Sequence, residues 1–131
     1  MYEQTTRDIL VRADPRFLES DSAPDNDRFI WGYSIEIENH GKTRVQLLTR
    51  HWAITNGAGM TQHVRGEGVI GKQPVIEPGE LFVYSSICPL STPTGWMSGE
   101  YQMVDLKTGE PFEIAVPAFA LESPYSSKLA N

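Results

Sequence analysis

FIWGYSIEIEN, residues 29–39, alternates along most of its length. Phe29, Trp31, Tyr33, Ile35 and Ile37 fall on one side of an extended chain, and Gly32, Ser34, Glu36 and Glu38 on the other. Side chains of a strand point to opposite faces in turn, so this period of two predicts a strand with one buried face and one polar face. On that reading the five large apolar residues are buried and Glu36 and Glu38 are exposed.

Working outward, the same grammar recurs. DILVRA offers Ile9 and Val11, and VQLLTRHWAIT is rich in β-formers from Val45 to Thr55. TQHVRG is short. LFVYSSI runs from Leu81 to Ile87, YQMVDL sets Tyr101 and Met103 on one side, and PFEIAVPAFAL places Phe112, Ile114 and Val116 on one face. These make about seven strands. Between them stand Asn39-His40-Gly41-Lys42, Asn56-Gly57-Ala58-Gly59, Pro78-Gly79 and Thr108-Gly109, which are turn sequences because Gly and Asn accept positive φ and Pro fixes φ near −65°. Eleven glycines and nine prolines leave little room for long helices. The expectation is an all-β protein: a sandwich of fibronectin type III or immunoglobulin type, about seven antiparallel strands in two sheets, with an open barrel as the competing architecture. SDSAPDNDR, residues 20–28, reads as a surface loop. Trp31, Trp52 and Trp96 are expected to anchor the core, and one of them found exposed would mark an interface.

The chain has 131 residues, 40% hydrophobic and 21% charged, which suits one domain able to bury a core without disulfide or metal. Its net charge of −6 lacks the basic footprint of nucleic-acid binding and disfavours anionic membranes. Cys88 is the single cysteine, so no internal disulfide forms. A lone thiol, no signal-peptide pattern at the N-terminus and no apolar span of membrane length set the expectation at a cytoplasmic protein. The ordered core is expected over about residues 5–122, with the tail 123–131 loose.

Three glycines raise a chemical question. Gly66, Gly68 and Gly71 have the GxGxxG spacing of a dinucleotide fingerprint. That fingerprint needs a helix after it to carry the pyrophosphate, and here Pro74 and Pro78 follow within seven residues. The expected role is backbone geometry: a bend or bulge, with positive φ at one or more of the three. The alternative is an anion or nucleotide held by loop amides beside Arg65, Gly66, Gly68, Gly71 and Lys72. The histidines are His40, His51 and His63. If the Asn56–Gly59 turn closes a hairpin with His51 across from Val64 and His63 across from Trp52, the two rings lie on opposite faces, whereas a one-residue shift would bring them diagonal. No zinc set is complete, so no metal site is expected. Cys88 precedes Pro89, has no His or Lys near it in sequence, and reads as a semi-buried thiol. No GxSxG occurs and no acidic pair declares itself, so neither catalytic residues nor a cofactor are expected.

RHWAITNGAG (50–59), VRGEGVIGKQPVIEPGE (64–80) and STPTGWMSGEYQMVDLKTGEPFEIAVPAFAL (91–121) together resemble the ApaG family over nearly the whole chain. The matching positions include Arg50, Trp52, Ile54, Gly66, Gly68, Gly71, Pro74, Pro78, Gly79, Glu80, Tyr84, Thr92, Pro93, Gly99, Tyr101, Phe119 and Leu121. Asn56 stands where an aspartate is common, and Ser86 where a glycine is expected. The resemblance implies a single fibronectin III-like domain of bacterial type. It also implies a link to cobalt and magnesium tolerance without an established mechanism. The same domain is similar to modules appended to F-box proteins and to a DNA polymerase delta-interacting protein. The implied function is therefore a non-enzymatic module for an unknown protein partner, with an indirect part in divalent-cation homeostasis. The alternatives are the anion or nucleotide sensor at residues 65–72 and direct binding of a divalent metal.

Overall fold

The computed structural model describes residues 2–125. Nine strands lie among them: β1 (Tyr2–Thr6), β2 (Ile9–Phe17), β3 (Phe29–Asn39), β4 (Val45–Asn56), β5 (Thr61–Glu67), β6 (Val75–Ile76), β7 (Leu81–Leu90), β8 (Gly95–Asp105) and β9 (Pro111–Leu121). The helical content is two three-residue 3-10 turns, Glu19–Asp21 and Pro24–Asn26, inside the expected surface loop. One sheet has the order β1-β2-β3-β7. The other has β5-β4-β8-β9, with β6 added beside β4, and every pairing is antiparallel. The all-β sandwich of two antiparallel sheets is thus observed, with two strands beyond the seven expected. β1 carries almost no buried side chain and β6 is two residues long, so neither has an alternating signature.

The face of β3 predicted from its period is the centre of the core. Phe29, Trp31, Tyr33, Ile35 and Ile37 are all less than a tenth exposed. They meet Leu47, Trp52, Tyr101, Met103 and Phe119 of the opposite sheet. Tyr33, Trp52 and Phe119 form an aromatic cluster with ring centroids 5.5 to 6.0 Å apart. Such tilted and edge-on pairs add about 0.5–1.5 kcal/mol each beyond burial. Glu36 and Glu38 depart from expectation. They are half-buried, because Arg12 of the neighbouring β2 lies across both with its Nη1 3.2 Å from each carboxylate.

Ordered contacts reach towards both ends of the described residues. β1 starts at Tyr2, earlier than the expected core boundary at residue 5. Ser123 is buried and its hydroxyl donates to the Pro93 carbonyl at 2.6 Å. The Tyr125 ring packs on Phe17 and Phe29. The remainder of the tail expected to be loose, residues 126–131, lies outside the described residues.

The two sheets are closed differently on their two sides. On one side β1 and β2 meet β9, where the Ala115 amide donates to Thr6 Oγ1 and the Ala120 amide to the Tyr2 hydroxyl, both at 3.3 Å. On the other, β7 and β5 are the outer strands of their sheets. A cleft of ≈ 280 Å³ opens there, lined by Tyr33, Arg50, Trp52, Val64, Ser86 and Cys88 among others.

Candidate functional site

The glycine stretch is built on an irregularity of β4. The pairing of β4 with β8 slips at Leu48, so the bulged residue turns its carbonyl outward. That carbonyl accepts the Gly68 amide at 2.8 Å and the Gln73 side-chain amide at 2.9 Å. The chain therefore leaves the edge of β4 at the end of β5, loops out, and returns to the same edge as β6. The loop closes on itself through reciprocal Val69–Lys72 backbone bonds of 2.8 and 2.9 Å. At its tip Ile70 and Gly71 have φ of 44° and 76°. Gly68 has φ 62°, and an added Cβ would stand 2.1 Å from the Lys72 carbonyl oxygen. Gly66 has no positive φ but underlies the Arg50 guanidinium, whose Nη1 would be 2.7 Å from a Cβ. Two of the three glycines thus show the positive φ expected of a geometric role, and no helix follows them.

The residues proposed for an anion are distributed unevenly around this loop. The amides of Gly68, Val69 and Lys72 are all donated to backbone carbonyls. Lys72 lies in the loop beyond the Gly68 bend, whereas Arg65 is on β5, directly across from His51. The Arg50 guanidinium donates to the Glu67 and Gly68 carbonyls at 3.1 and 2.9 Å.

The histidines correct the sequence expectation. Thr55 pairs with Thr61, so His51 faces Arg65 and His63 faces Ala53, one residue out of the expected register. The reason is the turn. Asn56 Oδ1 accepts the amides of Ala58 and Met60, and the Asn56 amide donates to the Met60 carbonyl, which makes a loop symmetric about Ala58. His51 and His63 consequently lie on one face, with His51 Nε2 2.9 Å from His63 Nδ1. Glu100 on β8 bonds to His51 Nδ1. Among the described residues no group of three or more His, Cys, Asp and Glu is placed to hold a metal ion.

The exposed apolar surface is concentrated elsewhere. β7 is the outer strand of its sheet, and its ten residues, LFVYSSICPL, carry no charge. Tyr84 and Cys88 point inward and are buried, while Leu81, Val83 and Ile87 point outward and are 50%, 51% and 60% exposed. Natural edge strands are usually short, charged or covered, because a row of unpaired amides and carbonyls recruits another strand. Apart from Pro89 near its end, β7 has none of these protections among the described residues. Beside it a depression of ≈ 360 Å³ runs over Gly32, bordered by Asp14, Arg16, Leu18, Ser34 and Ile87. That Leu81 to Ile87 form a strand was readable from sequence; its place at an edge was not, since that depends on which strands pair. Trp96, expected to anchor the core, is 46% exposed, whereas Trp31 and Trp52 are buried.

Cys88 is 2% exposed, more deeply buried than expected, and burial pushes its thiol up to about 11. The Tyr84 and Tyr101 hydroxyls share a 2.5 Å hydrogen bond in the core, and burial raises both. Among the described residues no helix is long and apolar enough to cross a membrane.

Comparison with known proteins agrees with this architecture. A model of the ApaG domain matches residues 19–105. The chain is 50% identical to Protein ApaG of Methylorubrum extorquens strain PA1, with all 131 residues of both covered. It is 53% identical to Protein ApaG of Afipia carboxidovorans, again over the whole of both. The crystal structure of an ApaA protein from Bordetella pertussis superimposes with a TM-score of 0.87 at 41% identity, covering 91% of this chain and 96% of that one. With full-length identity at half of all positions and the same sandwich, the chain belongs to the ApaG family.

Proposed function

We propose that the protein is a non-enzymatic interaction module of the cytoplasm, and that β7 is where its partner docks. The observation that carries this is the uncharged outer strand with Leu81, Val83 and Ile87 exposed at alternate positions. An extended segment laid against β7 would gain main-chain hydrogen bonds along the edge, and its own alternate side chains would meet these three aliphatics. The partner chemistry that fits is therefore an extended, uncharged, aliphatic-rich stretch of another protein. Burying aliphatic surface at about 25 cal/mol per Å² favours such a complex without any group that does chemistry. A part in cobalt and magnesium tolerance, as the family resemblance implies, would be indirect and exerted through that partner.

The test is a pair of captures from cells that make the protein, one with the wild-type chain and one with Val83→Lys/Ile87→Lys. Proteins retained by the wild type and lost from the variant, with far-UV spectrum and melting temperature unchanged, support the reading. An identical set of retained proteins contradicts it.

A further inference from the structure

The outer face of the β5-β4-β8 sheet carries an arrangement that partner docking at β7 does not use. His51 and His63 are diagonal neighbours on β4 and β5, their rings 10° from parallel with centroids 5.1 Å apart. His51 Nε2 and His63 Nδ1 are separated by 2.9 Å. Behind His51, Glu100 accepts from Nδ1, and the side chains of the two are only 20% and 30% exposed. A carboxylate at Nδ1 fixes the proton there and leaves the lone pair on Nε2, directed at His63. That carboxylate–histidine arrangement is also the one that orients imidazoles toward metal ions.

The geometry points to a two-histidine site for a first-row transition ion such as Ni²⁺, Co²⁺ or Zn²⁺, with His51 Nε2 and His63 Nδ1 as ligands, Glu100 positioning His51, and water completing the shell. Metal–imidazole bonds of about 2.0–2.1 Å place two neighbouring nitrogens of one coordination shell roughly 3 Å apart, close to the separation observed. To reach a common ion the rings turn off their direct N···N line, and His63 carries its proton on Nε2. His63 is exposed and free to make that adjustment at the sheet surface. Imidazole nitrogens favour these ions over Mg²⁺, which takes oxygen ligands and sheds water reluctantly. Arg65, opposite His51, places a positive charge on the same face and sets the site apart from a dedicated high-charge cage.

The chelator-treated full chain is titrated with NiCl₂ by calorimetry and with CoCl₂ by NMR of the imidazole rings. The expected result is Co²⁺ broadening of the His51 and His63 ring signals ahead of those of His40, which is paired instead with Glu38. His63→Ala should weaken Ni²⁺ binding at least tenfold, Glu100→Gln by about tenfold through loss of the positioning contact, and His40→Ala not at all. Millimolar Mg²⁺ should not compete. Ni²⁺ affinity unchanged in a folded His63→Ala variant, broadening centred on His40, or no binding of either ion would overturn the assignment.

Discussion

Gly68 shows what backbone geometry demands of one residue in the glycine motif. Its φ of 62° and the Lys72 carbonyl 2.1 Å from the position of a Cβ combine two penalties at one site. A left-handed conformation alone costs a non-glycine residue about 1–2 kcal/mol, and the contact forces the Val69–Lys72 turn to shift as well. Gly68→Ala is expected to destabilise the fold by more than about 2 kcal/mol in urea unfolding. Gly71→Ala meets nothing within 4 Å and should cost only about 1 kcal/mol. Equal costs would mean that the close approach is unimportant. The buried hydroxyls and thiol make a second claim. Cys88, Tyr33, Tyr84 and Tyr101 are all raised above their usual values, with burial as the leading cause. Each holds its proton more tightly folded than unfolded, so the stability linked to it is complete below the unfolded pKa, about 9 for Cys88 and about 10 for the tyrosines. For Cys88 it is lost between about 9 and about 11, on the order of 2–3 kcal/mol. Unfolding free energy should be flat in this respect at neutral pH and fall above pH 9, less steeply in Cys88→Ala. A stability that rises from pH 9 to 11 would contradict this account.

At the scale of elements, legibility followed burial. β3 was readable because one face is core and the other is not, and Ile35 at 0% exposure is its centre. Ile35→Ala is expected to cost about 2–5 kcal/mol by chemical denaturation, and a loss below about 0.5 kcal/mol would place that face outside the core. β1 was invisible because it lies outermost in its sheet with Tyr2, Glu3, Gln4 and Thr5 all exposed, so nothing imposes an alternation. β8 read as shorter than it is because Gly95 and Gly99 put no apolar side chain on the face that Met97, Tyr101 and Met103 bury. The β4–β5 register escaped by one residue, since the side chain of Asn56, not the count of turn residues, closes that hairpin. That single step decides whether His51 and His63 are strangers or neighbours. The contact with Glu100 required the β4–β8 pairing, which joins residues 49 positions apart and leaves no local mark in the sequence. β7 offers the opposite test: because Val83 and Ile87 face solvent, replacing both with lysine should change stability by no more than about 0.5 kcal/mol. A large loss would mean that they hold the fold together.

For the molecule as a whole, the two sides of the sandwich differ in kind. One is sealed by β9 against β1 and β2, and the other ends in two outer strands, of which β7 is long, uncharged and aliphatic. An acidic protein of net charge −6 that keeps one ten-residue edge free of charge has a surface suited to a neutral, extended partner. The most direct measurement is photo-crosslinking in cells, with a benzophenone amino acid placed at position 83 on β7 or at position 113 on β9, an exposed site on the other sheet. Docking at β7 predicts a discrete crosslinked protein from position 83, joined through an extended, uncharged segment identifiable by mass spectrometry, and none from position 113. Crosslinks of equal yield from both positions, or from position 113 alone, would contradict docking at β7.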